Sequence, residues 1–195
     1  EGEQEIFSLE EMIKIWDPAR ISKSPAIFDP LKLRAINAAY IRALPAEEFR
    51  RLADPFIDSA VHCDIDRDLL CANLQPRCEV LEDIPPQLDF FDAVLPIDAE
   101  MYRNKKQKTT PESAKEALTA LLPVLEAQTD WTRDAIFEAC KTLAEQMEKK
   151  NGWLLFPLGI ALSGKARTPG GGTDLAAMMG REETLKRVKD ALGKL

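Results

Sequence analysis

Apolar residues recur along this chain at the three- and four-residue spacing of amphipathic helices, and no segment shows the clear alternation of a strand. Residues 30–44, for example, place most of their apolar side chains on one face. Asp29 and Pro30 precede that face as an N-cap and a first-turn proline. Thirteen prolines interrupt the helical pattern, which predicts many short helices and an all-α fold.

Start and stop signals delimit the other predicted helices. Ser8 and Glu11 form a capping box before residues 9–16, and Pro18 closes that helix. The pairs Asp54-Pro55 and Thr110-Pro111 repeat the N-cap and proline signal, so we expect a helix to begin at each.

The last third of the chain predicts two further helices with clear signals. Thr132 opens one of them, and Asn151-Gly152 is expected to end it. Residues 181–195 form an amphipathic helix whose apolar side chains point inward and whose cations point outward. The inward positions are Leu185, Val188 and Leu192.

Charge is unevenly distributed along the chain. The net charge is −7, yet residues 141–195 carry 10 Lys and Arg against 6 Asp and Glu. A basic run at 102–108 contains Arg103, Lys105, Lys106 and Lys108 with no acid among them. Such a run is usually a solvated loop, but local sign rather than total charge decides which ligands are attracted. The chain divides most naturally after this run, into two small helical subdomains at 29–108 and 109–195.

The residues that could carry chemistry are few. Four cysteines without Cys-x-x-Cys spacing and a single histidine, His62, make a poor inventory for a metal site. We therefore expect no metal, buried reduced thiols, and a surface or capping role for His62. No apolar run is long enough to span a membrane, and the acidic start does not resemble a signal peptide. The glycine-rich piece 167–174 lacks the Gly-Lys-Ser/Thr ending of a phosphate-binding loop, so we expect a tight turn.

Several separated blocks, in order, resemble the carboxy-terminal anticodon-binding half of bacterial glutamyl-tRNA synthetases. They are EIFSLEEMI, RISKSPAIFDPLKLRAINAAYIR, LQPRCEVLEDI, the Lys-Lys-x-Lys run, and PLGIALSGKARTPGGGTDLAAMMGREETLKRV. The resemblance implies two helical anticodon-binding subdomains, with residues 1–28 as the connector from a catalytic half that this chain lacks. The ISKS stretch at 21–24 looks like an ATP-handling loop, but the family's own loop lies upstream. We therefore interpret the ISKS stretch as a chance similarity and not as an ATP-binding loop.

The resemblance also implies which residues read the anticodon. Arg77 matches the arginine that reads the third anticodon base, and Gln75 belongs to the same block. Thr168, Pro169 and Gly170 match a closing turn that packs against the first anticodon bases. Gly159 is a departure, because the family commonly has a loop-contacting arginine there.

Other functional assignments follow from the same resemblance. Phosphate contacts are predicted for Lys105, Lys106, Lys108, Lys165 and Arg167. The implied partners are the anticodon stem-loop of tRNA(Glu) and the protein's own N-terminal catalytic domain. ATP and Mg belong to that parent enzyme and not to this chain, which is expected to be a cytoplasmic monomer that aminoacylates nothing alone.

Alternatives remain open at this point. The main one is a helical scaffold or protein-interaction module that never binds RNA, which the acidic total charge favours. Arg77 could simply pair with Glu79 or Asp83 on the surface. The aromatic residues Phe90, Phe91, Trp131, Trp153 and Phe156 could stack on bases, but their helical context favours core packing.

Overall fold

The computed structural model describes residues 4, 6–21 and 27–195, and every regular element in these ranges is a helix. The all-α prediction is confirmed. The described ranges contain nine α-helices: α1 (Leu9–Ile15), α2 (Pro30–Ala43), α3 (Ala46–Asp58), α4 (Arg67–Leu74), α5 (Pro85–Leu88), α6 (Pro111–Ala127), α7 (Arg133–Gln146), α8 (Asn151–Ser163) and α9 (Gly172–Lys194). Short 3₁₀ helices span Pro18–Arg20, Gln75–Arg77, Leu81–Asp83 and Ala99–Tyr102. Within the described ranges, no helix is long and apolar enough to cross a bilayer.

Most predicted helix starts are confirmed by the cap geometry. The Ser8 side chain accepts the Glu11 backbone N–H while Glu11 accepts the Ser8 N–H, which completes the capping box. Asp29 Oδ1 accepts the N–H groups of Leu31 and Lys32 at 2.9 and 3.2 Å. Thr110 and Thr132 cap α6 and α7 in the same way. Each cap satisfies backbone donors that a helix start leaves without an intrahelical partner.

Two predicted boundaries are wrong. Asp54-Pro55 does not open a helix but lies inside α3, which begins at Ala46. Phe49, Ala53 and Ile57 recur on one face across the proline and are fully buried, so continuous burial outweighs the backbone hydrogen bond that Pro55 cannot make.

Asn151-Gly152 likewise begins α8 instead of ending α7, which stops at Gln146. The connection between α7 and α8 contains Glu148, which has a positive φ of 54°. Glu148 thus adopts the left-handed conformation after α7 that was expected of Asn151 or Gly152.

The core is built around α8, which packs against α6, α7 and most extensively α9. α8 is buried on nearly all sides, as expected for a central helix. The preceding helices α3 and α4 pack on each other, and α4 also contacts α9. The buried apolar residues form one continuous cluster from Ile41 to Ala191. The division into subdomains at 108/109 stays a prediction.

Three of the four cysteine thiols are buried in the core. Cys71, Cys78 and Cys140 are buried, and burial raises the pKa of the first two to about 11 and of Cys140 to about 12. Cys63 is exposed, contrary to the expectation that all the thiols are buried.

His62 Nδ1 lies 2.6 Å from Asp92 Oδ2, and the hydrogen bonds from His62 hold the pKa of Asp92 well below its usual range. The described residues contain no group of three or more His, Cys, Asp or Glu side chains arranged for a metal ion.

The amphipathic helix predicted at 181–195 forms the second half of α9, after a break at Gly180. Leu185 and Val188 are buried as predicted, but not every cation points outward. Arg187 is only 2% exposed and donates hydrogen bonds to the carbonyl oxygens of Phe90, Leu162 and Phe91 at 2.7, 2.7 and 2.5 Å. These carbonyls attract the guanidinium inward because they would otherwise be buried without partners.

A close approach of α9 to α8 leads to a prediction on stability. A Cβ added at Gly172 would lie 2.7 Å from the Leu155 carbonyl oxygen and 3.0 Å from the Gly159 amide nitrogen. Gly172→Ala is therefore expected to lower the free energy of unfolding by about 1–3 kcal/mol, measured by urea denaturation. Gly193→Ala is the control, since a Cβ there meets nothing within 4 Å. Equal stability of the two variants would contradict the predicted clash.

Candidate anticodon-binding cleft

An open cleft of about 840 Å³ lies where α7, α8 and the start of α9 meet the loop that joins α8 to α9. Its floor is a stripe of α8 at helical spacing, made by Gly152, Leu155, Phe156, Gly159 and Ile160. Two of these floor positions carry no side chain. A Cβ at Gly159 would meet only the Gly172 backbone, at 3.8 Å or more, so the floor there is open.

The α8–α9 loop is held in shape by its own contacts. Gly164 ends α8 with a φ of 70°, and Gly170 turns with a φ of 109°. The Thr168 hydroxyl donates to the Gly170 carbonyl at 2.8 Å, and the Gly171 amide donates to Asp174 Oδ2 at 2.7 Å. The expected tight turn is therefore present, and its backbone forms one wall of the cleft.

Arg77 reaches this wall from the 3₁₀ helix that follows α4. Pro76 breaks α4 into the 3₁₀ helix that ends at Arg77, as its position after a proline suggested. Arg77 is exposed, and its Nη1 lies 3.4 Å from the Thr168 carbonyl oxygen, a long and therefore weak hydrogen bond. The two residues that the resemblance selected, 91 positions apart, lie at one site.

The surface-pair alternative for Arg77 is wrong for the two acids considered. Glu79 Oε2 accepts a hydrogen bond from Arg34 Nε at 2.8 Å, and Asp83 pairs with the Nη2 of the same arginine. Both carboxylates are thus engaged by Arg34. The Arg77 guanidinium keeps most of its donors for a ligand in the cleft.

The cleft is locally positive although the chain is acidic. Its lining includes Arg77, Arg133, Lys165 and Arg167 against one carboxylate, Asp174. Lys165 contributes less than a free lysine would, because its Nζ pairs with Asp89 and donates to the Pro86 carbonyl at 2.8 Å. Arg167 is exposed on the loop. The local sign favours an anionic ligand.

Other predicted site residues lie outside the cleft lining or at its edge. Pro169, within the α8–α9 loop, is buried. Gln75 donates to the carbonyl oxygens of Ile41 and Leu44 at 3.0 and 2.8 Å, so both described hydrogen bonds of its amide are internal. A contact of Gln75 with RNA stays a prediction.

The predicted lysine contacts are exposed on a turn closed by a bridge between Asn104 and Thr109. They are Lys105, Lys106 and Lys108. Gln107, within the same turn, lines the cleft, so the lysines lie at its rim.

Sequence reasoning missed several residues of the lining. Arg133 and Phe137 come from the first turns of α7, and Asp174 from the first turn of α9. Hydrogen bonding to Asp134, with the nearby Asp174, raises the pKa of Arg133. Asp174 could have been found as the acid three residues after a helix cap. No sequence signal marks Arg133, because its place opposite α9 depends on helix packing.

The aromatic residues are mainly in the core, as predicted. Phe90, Phe91 and Trp153 are buried, and the Trp131 indole donates to the Ala176 carbonyl at 2.9 Å. Phe156 packs partly against the core and also lines the cleft floor. It is the one of the five predicted aromatic positions that the described structure leaves in contact with the cleft.

The expectation that ATP belongs to the parent enzyme and not to this chain stays a prediction. Residues 22–26, which include most of the ISKS stretch, lie outside the described residues. His62 is the chain's one histidine, so a His-x-Gly-His motif cannot be present, and the described part has no parallel sheet to hold a nucleotide.

Comparison with known proteins agrees with the sequence resemblance. Residues 32–192 match the family described as anticodon binding domain. The glutamate–tRNA ligase of Clostridium botulinum (strain Hall) is 44% identical over 194 residues, which are 100% of this chain and 40% of that protein. The ligase of Clostridium acetobutylicum is 41% identical over 196 residues, with the same coverage of 100% and 40%.

A solved structure is similar over nearly the whole chain. The crystal structure of a glutamate tRNA ligase from Elizabethkingia meningosepticum, in complex with its amino acid, matches with a TM-score of 0.83 and 26% identity. The match covers 98% of this chain and 38% of that one. This chain thus spans about 40% of the length of the curated relatives it matches. On these grounds the chain belongs to the anticodon binding domain family, in the form found in glutamate–tRNA ligases.

Proposed function

We propose that this chain is the anticodon-reading part of a glutamate–tRNA ligase and that its cleft binds the anticodon loop of tRNA(Glu). The observation that carries the proposal is the position of Arg77 beside Thr168 in a cleft whose charged lining residues are four cations and one carboxylate. A folded RNA loop exposes base edges that a duplex hides, and arginine donors can read such edges. The Arg77 guanidinium would read the third anticodon base in this way.

The other residues of the cleft could contact the remaining nucleotides of the anticodon loop. Bases splayed from their stack can lie on an apolar floor, and the floor offers Phe156 beside the open position at Gly159. The backbone of Thr168, Pro169 and Gly170 would contact the first anticodon bases. Arg167 and the lysines at 105, 106 and 108 would contact phosphates, which position the RNA without specifying its sequence. Lys165 would have to release Asp89 to do so.

A second partner would be the catalytic part of the same enzyme. Residues in and near α1 and the start of α2 expose large apolar side chains, among them Ile13, Trp16, Ile27, Phe28 and Leu31. Apolar surface of this extent suits a protein contact. The catalytic part would bind ATP and Mg and attach glutamate, and this chain would act as its recognition module in a cytoplasmic monomer.

The direct test is binding of a fluorescent tRNA(Glu) anticodon stem-loop to the 195-residue chain. We expect binding that weakens as salt rises from about 50 to about 200 mM, because each phosphate contact releases a counterion. A stem-loop altered at the third anticodon base should bind more weakly at every salt concentration.

Two results would contradict the proposal. Equal, feeble binding to all stem-loops would leave only non-specific attraction to phosphate. No binding by a chain that circular dichroism shows to be folded would favour the scaffold alternative. That alternative predicts indifference to tRNA at any salt concentration, and no feature of the cleft supports it.

A further inference from the structure

Arg133, the first residue of α7, is a cation of the cleft that no sequence signal marks. Its Nε lies 3.2 Å from Asp174 Oδ1, and its Nη1 lies 2.7 Å from Asp134 Oδ1. Its guanidinium carbon lies 5.4 Å from the centre of the Phe137 ring. The side chain is 45% exposed, so it is positioned by these contacts without being buried.

Asp174 holds the Arg133 guanidinium and also contacts the α8–α9 loop. Asp174 is only 15% exposed, and its second oxygen accepts the Gly171 amide at 2.7 Å. One carboxylate therefore links the α8–α9 loop, the start of α9 and the start of α7. Because Arg133 donates through Nε and Nη1 to carboxylates on α9 and on α7, its plane is restrained rather than free to rotate.

The restrained guanidinium has its central carbon over the Phe137 ring, and Arg133 is also part of the cleft lining. Two carboxylates offset the positive charge, which weakens attraction for phosphate. Stacking of a base on the plane is much less affected, because it depends on contact between flat surfaces. The open floor at Gly159 leaves space in the same cleft for such a base.

We propose that Arg133 is a second base-contacting residue, on whose guanidinium plane one nucleotide of the bound loop stacks. This inference rests on the proposed function, since it names a second base subsite in the cleft where Arg77 is the first. The expected ligand at this subsite is an unpaired base of single-stranded RNA. Asp174 acts through Arg133 and is a positioning residue.

The test uses Arg133→Lys, which keeps the charge and removes the plane. Binding of the tRNA(Glu) anticodon stem-loop to the 195-residue chain should weaken about tenfold. Arg181→Lys is the matched control, because Arg181 is exposed, lies outside the cleft and donates to the Glu126 carbonyl at 2.5 Å. It should bind as the unaltered chain does.

A set of stem-loops, each with one abasic nucleotide, identifies the base. At one position the abasic RNA should bind the unaltered chain and Arg133→Lys equally, because the stacked base is already missing. The ratio of affinities for the intact and the abasic RNA is taken within each protein, and at that position it should be smaller for Arg133→Lys, so a small loss of stability in the variant does not obscure the result.

Unchanged affinity of Arg133→Lys would overturn the inference, as would a loss of the same size with every abasic RNA. In either case selective binding by the unaltered chain would leave the proposed function standing. If the unaltered chain bound no stem-loop selectively, the proposed function would fail and this inference with it.

Discussion

Arg77→Gln is expected to weaken binding of the tRNA(Glu) anticodon stem-loop by about 10- to 100-fold, the size of one arginine contact with a base edge. The side chain is exposed, and its described contact is the long hydrogen bond to Thr168, so the fold loses little when it is shortened. Glu79 and Asp83 keep Arg34 as their partner. The loss should therefore appear in binding and not in the melting temperature.

The specificity of this effect is checked with an RNA altered at the third anticodon base. The unaltered chain should discriminate against it, whereas Arg77→Gln should bind both RNAs with similar affinity. Arg42→Gln removes the same charge from the exposed side of α2 and serves as the control. A uniform loss in both arginine variants would mean that Arg77 contributes only charge, which would contradict base reading.

Arg187→Met is expected to lower the free energy of unfolding by about 3–5 kcal/mol. The substitution leaves the carbonyl oxygens of Phe90, Phe91 and Leu162 without their buried donor and removes the ion pair with Glu183 at 2.7 Å. Leu162 lies in the last turn of α8, where carbonyls have no intrahelical partner. The side chain thus ties the segment at 90–91 and the end of α8 to α9.

Urea denaturation of both proteins measures this loss. Lys186→Met is the control, because Lys186 is exposed and its Nζ pairs with the same Glu183 at 3.0 Å. It should change the free energy of unfolding by less than about 1 kcal/mol. A comparably small change for Arg187→Met would show that the three carbonyls find other partners, which would contradict the proposed tie.

The helical class and most helix starts were predictable from sequence because their causes are local. A cap such as Thr110 acts on an amide three residues away, and apolar spacing defines the buried face of the same helix. The resemblance to a known family located Arg77 and the turn at 168–170. It could do so because these residues lie in recognisable blocks.

The predictions that were wrong rested on local sequence signals that contacts with distant residues override. The pair Asp54-Pro55 has the residue types of a helix start. Phe49 and Ile57, on either side of this pair, are buried on one face, and α3 therefore continues through it. Arg187 reads as an outward cation on an amphipathic helix. It turns inward because carbonyls from about 97 and 25 residues away need a donor.

The sequence alone therefore determined the all-α class, the caps and the candidate reading arginine, since each depends on neighbours within one or two turns or on a recognisable block. Only the tertiary structure decided that Arg77 faces Thr168, that α8 supplies a floor left open at Gly159, and that Arg133 lies over Phe137 beside Asp174. Packing of distant helices sets these distances. No local periodicity in the chain specifies which surfaces will meet.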